Sequence, residues 1–308
     1  MSKKIRIGTF NVENLFARFN FKKEYPTEQL VKVVKEGWEV DKTRFIINKP
    51  VAREITAKAI KALKADILAL QEVENIEVLK RFNSKYLGGR YRYKLVIGGN
   101  DLRLIDVGIL SKYPFRSIRT HQFDKESPSS RKYIFSRDCL EVDLEISENT
   151  VLPIFVNHLK SMYGGRQKTM ARRKIQAERV VQIIKERFGE NPIEDDFIIL
   201  GDLNDYLPSP GLEPLLCKGW VEDIVATRIE EEDERWTHYW ADGNEYKQLD
   251  YILLSKSLAE KNLSAVPVIE RRGLPLRATK YEGKRFENVG KNDPKASDHC
   301  PVMIEINM

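Results

Sequence analysis

The chain has 308 residues, 42% hydrophobic and 32% charged, enough apolar content for a large packed core in a soluble protein. Three cysteines, Cys139, Cys217 and Cys300, stand far apart with no CxxC pair, which argues against a disulfide framework or a zinc site and fits a reducing cytoplasm. The formal net charge of +6 suits an anionic partner such as nucleic acid or a lipid headgroup, although charge spread along the chain also serves solubility. No apolar stretch of a signal peptide follows the basic start, Met1 to Arg6. The longest apolar runs, such as Phe197 to Leu200, are far too short to cross a bilayer. A cytoplasmic location without stable membrane association is therefore expected, and nothing points to an obligate protein partner.

In chain order, Ile5 to Phe10 alternates and reads as a first strand. Residues 17–50 are irregular, with a short helix expected over Glu28 to Val34. Ala52 to Leu63 carries Ile55, Ala59, Ile60 and Leu63 at helical spacing, and Ile67 to Leu70 reads as a short buried strand. Glu77 to Tyr86 is a second helix, ended by Gly88 and Gly89. Strands follow at Tyr93 to Ile97, Val107 to Ser111, Leu140 to Ile146 and Val151 to Asn157, with a polar loop over 120–132. Arg172 to Phe188 is an amphipathic helix, and Phe197 to Leu200, Tyr251 to Leu254 and Val302 to Ile306 complete the strands. No repeat or linker divides the chain, so 1–308 reads as one domain with surface insertions at 17–50 and 270–296. Short apolar strands mixed with amphipathic helices imply sheets covered by helices, in an α/β or α+β class.

Most strands end in a small polar cluster. Asn11, Glu72, His158, Asp202, Asn204, Asp250, Asp298 and His299 all stand at such ends, positions that can converge on one rim of a sheet core. Carboxylates with amides make a hard oxygen site that suits Mg²⁺, Mn²⁺ or Ca²⁺ better than zinc. Histidines among carboxylates can bond a phosphoryl oxygen and move a proton. Taken singly, each residue has a plainer reading. Asn204 and Asp205 read as turn formers or helix caps, Glu74 as a solvated acid, and His121 and His238 as surface or hydrogen-bonded histidines. Trp236, Tyr239, Trp240 and Tyr246 are core or substrate contacts, and the acidic run over 230–234 is a solvated face that would repel a polyanion.

Six segments carry a family likeness: Thr9-Phe10-Asn11-Val12-Glu13-Asn14, Leu70-Gln71-Glu72-Val73-Glu74, Asn157-His158-Leu159-Lys160-Ser161, Gly201-Asp202-Leu203-Asn204-Asp205, Leu249 to Ser255, and Ala296-Ser297-Asp298-His299-Cys300-Pro301-Val302. In this order and spacing the chain resembles the endonuclease/exonuclease/phosphatase superfamily, of DNase I type. The resemblance implies an α+β fold, a four-layer sandwich of two mostly antiparallel sheets face to face with helices outside. It implies Glu72 as principal metal ligand, with Asn11 and Asp298 beside it, and Mg²⁺ as cofactor with Mn²⁺ as substitute. Asp202 would orient or deprotonate the attacking water with help from Asn204. His299, held by Asp250, and His158 would contact the phosphate. Lys160, two residues beyond His158, is expected on the same face of the strand. The expected activity is hydrolysis of DNA or RNA phosphodiesters, supported by the basic 270–296 segment. A lipid or inositol phosphoesterase is the alternative within the superfamily. A catalytically silent nucleic-acid-binding module is the alternative outside it, and would not need the full set of acids and histidines.

Overall fold

In β1 (Lys4–Leu15), Ile5 and Ile7 pack into one apolar layer and Phe10 into another, and all three are fully buried. A strand buried on both faces must be covered on both. The computed structural model, which describes residues 3–15, 20–21, 45–46, 50–103 and 105–308, shows what covers it. One six-stranded sheet has the order β15 (Val268–Ile269), β16 (Val302–Asn307), β1, β4 (Ile67–Val73), β6 (Asp106–Ser111), β5 (Tyr93–Ile97). The other has the order β11 (Val221–Asp223), β14 (Asp250–Ser255), β10 (Ile198–Asp202), β9 (Thr150–His158), β8 (Cys139–Ser147), β7 (Phe115–Arg119). Each sheet has one parallel pair, β1 with β4 and β9 with β10, and its other pairs are antiparallel.

The period-two alternation of the strands builds four layers. Ile7, Ile67 and Ile109 of the first sheet meet Val142, Ile154, Leu200 and Ile252 of the second in a shared central core. Phe10, Leu68, Leu70 and Leu110 turn outward onto helices α1 (Pro50–Leu63) and α2 (Ile76–Lys85), through Ile55, Ile60, Leu79 and Phe82. Phe155, Phe197, Ile199 and Leu253 turn outward onto α3 (Arg166–Phe188), through Val180, Ile183 and Ile184. The two mixed, mostly antiparallel sheets with helices outside are the expected α+β sandwich.

The differences from the expected elements have physical causes. Helix α3 begins six residues before the expected Arg172, because its first turns bury polar groups rather than apolar ones. Arg173 and Gln176 are fully buried there and bond to backbone carbonyls, a face invisible to a hydrophobic period. Strand β7, short and half-exposed, was not expected at all. The helix expected at Glu28 to Val34, and nearly all of segment 17–50, lie outside the described residues. Segment 270–296 holds no helix and, among its residues, no strand, and it lies between β15 and β16.

Asp205 is more than a turn residue. Its Oδ2 lies 2.9 Å from Nε of Arg173 and its Oδ1 2.6 Å from Nε of Arg166, with both Arg173 and Asp205 side chains buried to within 1%. Ser209 Oγ also donates to Asp205 Oδ2 at 2.8 Å. Removing one member of a buried pair leaves the other charge uncompensated, at a cost of about 3–5 kcal/mol. Asp205→Ala is therefore expected to lose stability of about that size in urea unfolding. A loss below about 1 kcal/mol, the size of an exposed pair, would refute this account of how α3 is anchored.

Candidate active site

The parallel pairs put the C-terminal ends of β1, β4, β9 and β10 at related edges of the two sheets, and those ends carry the polar residues. Gly201 makes the closest step possible. Its φ is +139°, and a Cβ there would sit 1.9 Å from the Asn157 carbonyl oxygen, so only glycine lets β10 run this close to β9 and set Asp202 opposite His158. On the other sheet, β1 and β4 bulge together. Their register shifts between Asn11 and Leu15 on β1, and β4 shifts against β6 between Leu70 and Val73. Within the bulges Glu13 has φ +44° and Glu72 φ +64°, and beyond β10 Asn204 has φ +54°. Three non-glycine residues in the left-handed region, each costing roughly 1–3 kcal/mol, re-aim side chains at the rim.

One amide joins the two edges. Asn11 Nδ2 donates to Asp202 Oδ2 at 3.0 Å and reaches Glu72 Oε1 at 3.5 Å. Asn204 donates to Asp202 from its backbone N at 2.8 Å and its Nδ2 at 2.9 Å. His299 Nδ1 donates to Asp250 Oδ2 at 2.8 Å, while its Nε2 lies 3.8 Å from Asp202 and 4.0 Å from Asp298. His158 Nε2 is 3.4 Å from Asp202 Oδ2. The expected residues Asn11, Glu72, His158, Asp202, Asn204, Asp250, Asp298 and His299 thus come together. Lys160 needs a correction: β9 ends at His158, so Lys160 does not share a strand face with it. Its backbone is held instead by Gln176 and Arg173, and its half-buried ammonium lies within the electrostatic reach of Arg137 and Arg103.

Several residues of the site were not singled out in the sequence. Ser297 Oγ donates to the Asn11 carbonyl at 2.7 Å and accepts from His299 N at 3.0 Å, which pins the last motif to β1. Glu13 accepts from Asp298 N at 2.9 Å and pairs with Lys295 at 2.9 Å. Thr237 Oγ1 donates to Asp250 Oδ2 at 2.7 Å. Arg137, fully buried, donates to the Leu159 carbonyl, the same oxygen that accepts from Asn204 Nδ2. Ser297 and Glu13 stood inside quoted motifs; Arg137 and Thr237 gave no periodic or motif signal.

The charges are unequal by design of the surroundings. Burial disfavours a charge on His299, but Asp250, Asp202 and Asp298 outweigh it and lift its pKa well above the ordinary histidine value. Burial, reinforced by Arg137, His299 and Arg103, pushes His158 well below that value, so its contact with Asp202 is that of a neutral ring. Burial and the neighbouring Asp250 raise Asp202 to about 7, against the pull of His299, Asn11 and Asn204. Asp298 keeps its charge: burial opposes ionisation, but His238, His299 and Lys295 hold it well below the usual carboxylate range. Burial and Asp298 then raise Glu72, and raise Glu13 to about 8 despite Lys295.

That imbalance is the fit test for a cation. Glu13, Glu72 and Asp298 repel one another, and Lys295 is the counter-charge against Glu13 and Asp298. A divalent ion among these oxygens would let Glu13 and Glu72 ionise beside the charged Asp298, and carboxylate and amide oxygens are hard donors suited to one. The residues therefore fit the metal that the sequence likeness implies.

The opposed histidines give a direct prediction. In nitrogen-15 NMR of the imidazoles, His299 should remain doubly protonated at pH 7 and His158 neutral. Asp250→Asn should lower the His299 titration midpoint, because it removes the nearest opposing charge. An unchanged midpoint would contradict the pairing.

A model of the Endonuclease/Exonuclease/phosphatase family matches residues 6–308. No curated protein matches the chain by sequence. Truncated Caenorhabditis elegans TDP2 is similar in structure at 15% identity, over 99% of this chain and 98% of that one, with a TM-score of 0.60. The beta toxin 275-280 of Staphylococcus aureus is similar at 15% identity, over 97% and 99%, with a TM-score of 0.58. An endonuclease/exonuclease/phosphatase family protein from Bacteroides thetaiotaomicron is similar at 16% identity, over 100% and 98%, with a TM-score of 0.62. These structural likenesses establish the fold. The match over nearly the whole length goes further and supports metal-dependent phosphoesterase chemistry in general: the chain belongs to the endonuclease/exonuclease/phosphatase family.

Proposed function

We propose that the chain is a Mg²⁺-dependent nuclease that hydrolyses DNA or RNA phosphodiesters by attack of water. The observation that carries the reading is the set around Asp202: two histidines of opposite charge preference, one backed by Asp250, facing a carboxylate tuned to about 7. Glu72, Asn11 and Asp298 hold the metal, with Mn²⁺ as substitute, and the ion supplies charge neutralisation at the phosphoryl oxygens when bound. Asp202, whose pKa near neutrality matches a general base, takes the proton of the attacking water, and Asn11 and Asn204 hold its oxygens in place. The His299 imidazolium, fixed by Asp250, faces the negative charge that grows on the phosphoryl group. His158, neutral, offers one N–H to another phosphate oxygen. Lys160, off that strand face, adds a positive charge near Arg137 and Arg103.

The choice of nucleic acid rests on charge, and the grounds shift from those in the sequence. Part of the basic 270–296 segment is already engaged. Arg271 pairs with Glu234 at 2.8 Å, Lys280 with Asp233 at 2.5 Å, Arg272 with Glu270, and Arg285 donates to the carbonyls of Leu274, Ala278 and Tyr281. The acidic run is exposed, as expected, with Asp233 and Glu234 paired to this segment from its surface. What favours a polyanion is the half-buried Lys160, whose ammonium lies near Arg103 and the buried Arg137, although both arginines also face Asp101, at 2.8 and 3.5 Å. A long phosphodiester chain can reach such a cation beyond the scissile phosphate, whereas a single phosphate cannot use it fully.

A second reading has its own observation. Leu102, Tyr163, Leu207 and Trp240 are exposed, at 98%, 90%, 46% and 52%, on segments that also carry Arg103, Lys160, Asn204 and His238. Trp236 and Tyr239, by contrast, are buried beside Leu274 and Cys300, with Tyr246 packed on them. Exposed apolar groups near a phosphoesterase site suit a lipid phosphodiester as well as stacked bases. Among the described residues, no helix is long and apolar enough to cross a membrane.

With Mg²⁺ or Mn²⁺, the wild type is expected to cleave plasmid DNA, single-stranded DNA, RNA or an abasic duplex. Asp202→Asn, Glu72→Gln and His299→Ala should each lose at least about two orders of magnitude in rate while melting like the wild type. Cleavage of sphingomyelin or a phosphoinositide alone would keep the site and overturn the nuclease reading. Full activity in all three variants would overturn the site.

A further inference from the structure

His238, read in the sequence as a surface or hydrogen-bonded histidine, stands against the active site. It lies on β12 (His238–Trp240), which pairs with β13 (Glu245–Lys247), and it forms an antiparallel bridge with His299. Backbone bonds lock the register on either side, from Tyr239 N to Asp298 O at 2.9 Å and from Cys300 N to Thr237 O at 2.6 Å. The two imidazoles are thereby set beside each other, with ring centroids 4.5 Å apart. Asp298 offers one oxygen to each: Oδ2 lies 3.8 Å from His238 Nε2 and Oδ1 lies 4.0 Å from His299 Nε2. These contacts are longer than hydrogen bonds. Ligand atoms of the three residues all lie within 4.8 Å of one another.

Ligands of a tetrahedral zinc ion, at about 2.0–2.1 Å from the metal, are about 3.3 Å apart, so the three groups need to close by roughly 0.5–1.5 Å. The supporting contact already exists. Asp250 binds His299 Nδ1 at 2.8 Å, so Nε2 can ligate once an incoming ion displaces its proton to solvent, which gives the carboxylate-backed histidine usual at zinc sites. The Asp298 side chain is 33% exposed and that of His238 15%, so a fourth position opens to solvent. The neighbouring trio of Asp202, Asp250 and His299 lacks this freedom, because Asp250 takes the ring nitrogen itself.

We propose that His238, Asp298 and His299 form an inhibitory site for a borderline-soft transition ion of the zinc class, which shares Asp298 with the oxygen cluster around Glu72. Two imidazole nitrogens favour Zn²⁺ over Mg²⁺, which prefers oxygen. An ion bound here withdraws Asp298 from the Glu72 cluster and His299 from the phosphate. The inhibitory half of the proposal rests on the function proposed above; the binding half does not.

The test titrates Zn²⁺ against a chromogenic chelator at neutral pH, using wild type, His238→Phe, His238→Gln and Glu72→Gln, each checked by thermal melting. The expected result is one tight Zn²⁺ per chain in the wild type and in Glu72→Gln, and at least tenfold weaker binding in the folded His238 variants. Co²⁺ in place of Zn²⁺ should give the visible absorbance of a nitrogen-ligated tetrahedral ion in the wild type alone of the His238 series. Equal affinity in wild type and His238 variants, or a loss in Glu72→Gln alone, would overturn the site. In a parallel assay of Mg²⁺-dependent plasmid nicking, micromolar Zn²⁺ should suppress the wild type and spare the His238 variants, each relative to its own zinc-free rate. Zinc binding that depends on His238 but leaves the wild-type nicking rate unchanged would overturn the inhibitory half. If the zinc-free wild type cleaves nothing, the function reading fails while the chelator titration still decides the site.

Discussion

The amide of Asn11 spans the gap between two sheets, donating to Asp202 of one and reaching toward Glu72 of the other. Two acids brought to one rim from two sheets need something between them that is not itself charged. An amide serves, because it donates to a carboxylate without adding to the local charge. The rest of the site follows from holding this bridge. Ser297 ties the last motif to the Asn11 carbonyl, the bulge beyond Asn11 turns Glu13 to Asp298, and Gly201 lets β10 approach β9 so that Asp202 reaches the bridge at all.

Around the bridge the charges divide into two groups. On the Asp202 side, acids and imidazoles are nearly matched: His299 is paired with Asp250 and faces Asp202, while His158 is denied a charge by burial and by Arg137. On the Glu72 side they are not matched, and Glu13 and Glu72 are driven toward protonation by burial and by Asp298. A buried carboxylate that cannot find a partner ordinarily takes up a proton. Here Glu13 and Glu72 share that difficulty beside an Asp298 that keeps its charge, and a divalent cation among them would relieve both. The Asp202 side and the Glu72 side of the site are thus distinguished by their electrostatics before any substrate is present.

Much of this was legible in the sequence because strand ends are where a short apolar run meets a polar cluster. Phe10 to Asn11, Leu70 to Glu72, and Leu200 to Asp202 each announce both a buried strand and a rim residue, and the order of six such segments carried the fold. What stayed hidden depends on contacts between distant segments. Arg137 and Arg173 are long charged side chains that fold inward, and their burial leaves no periodic trace. His238 looked solitary until the bridge to His299 placed it, and Asp205 looked like a cap until two arginines closed on it. The basic segment near the C-terminus misled for the same reason: several of its charges appear free in the sequence and are spent on Asp233, Glu234 and backbone carbonyls in the fold.

The central claim is that the Glu13, Glu72 and Asp298 cluster is a divalent cation site at the edge of a hydrolytic centre. Its most direct test is thermal unfolding under increasing Mn²⁺, with wild type and Glu72→Gln side by side. Binding to the folded state alone stabilises by about 2.7 kcal/mol at one hundred times the dissociation constant. The account predicts a melting temperature that climbs with Mn²⁺ in the wild type and stays flat in Glu72→Gln. Equal climbs in both proteins, or none in the wild type, would contradict it.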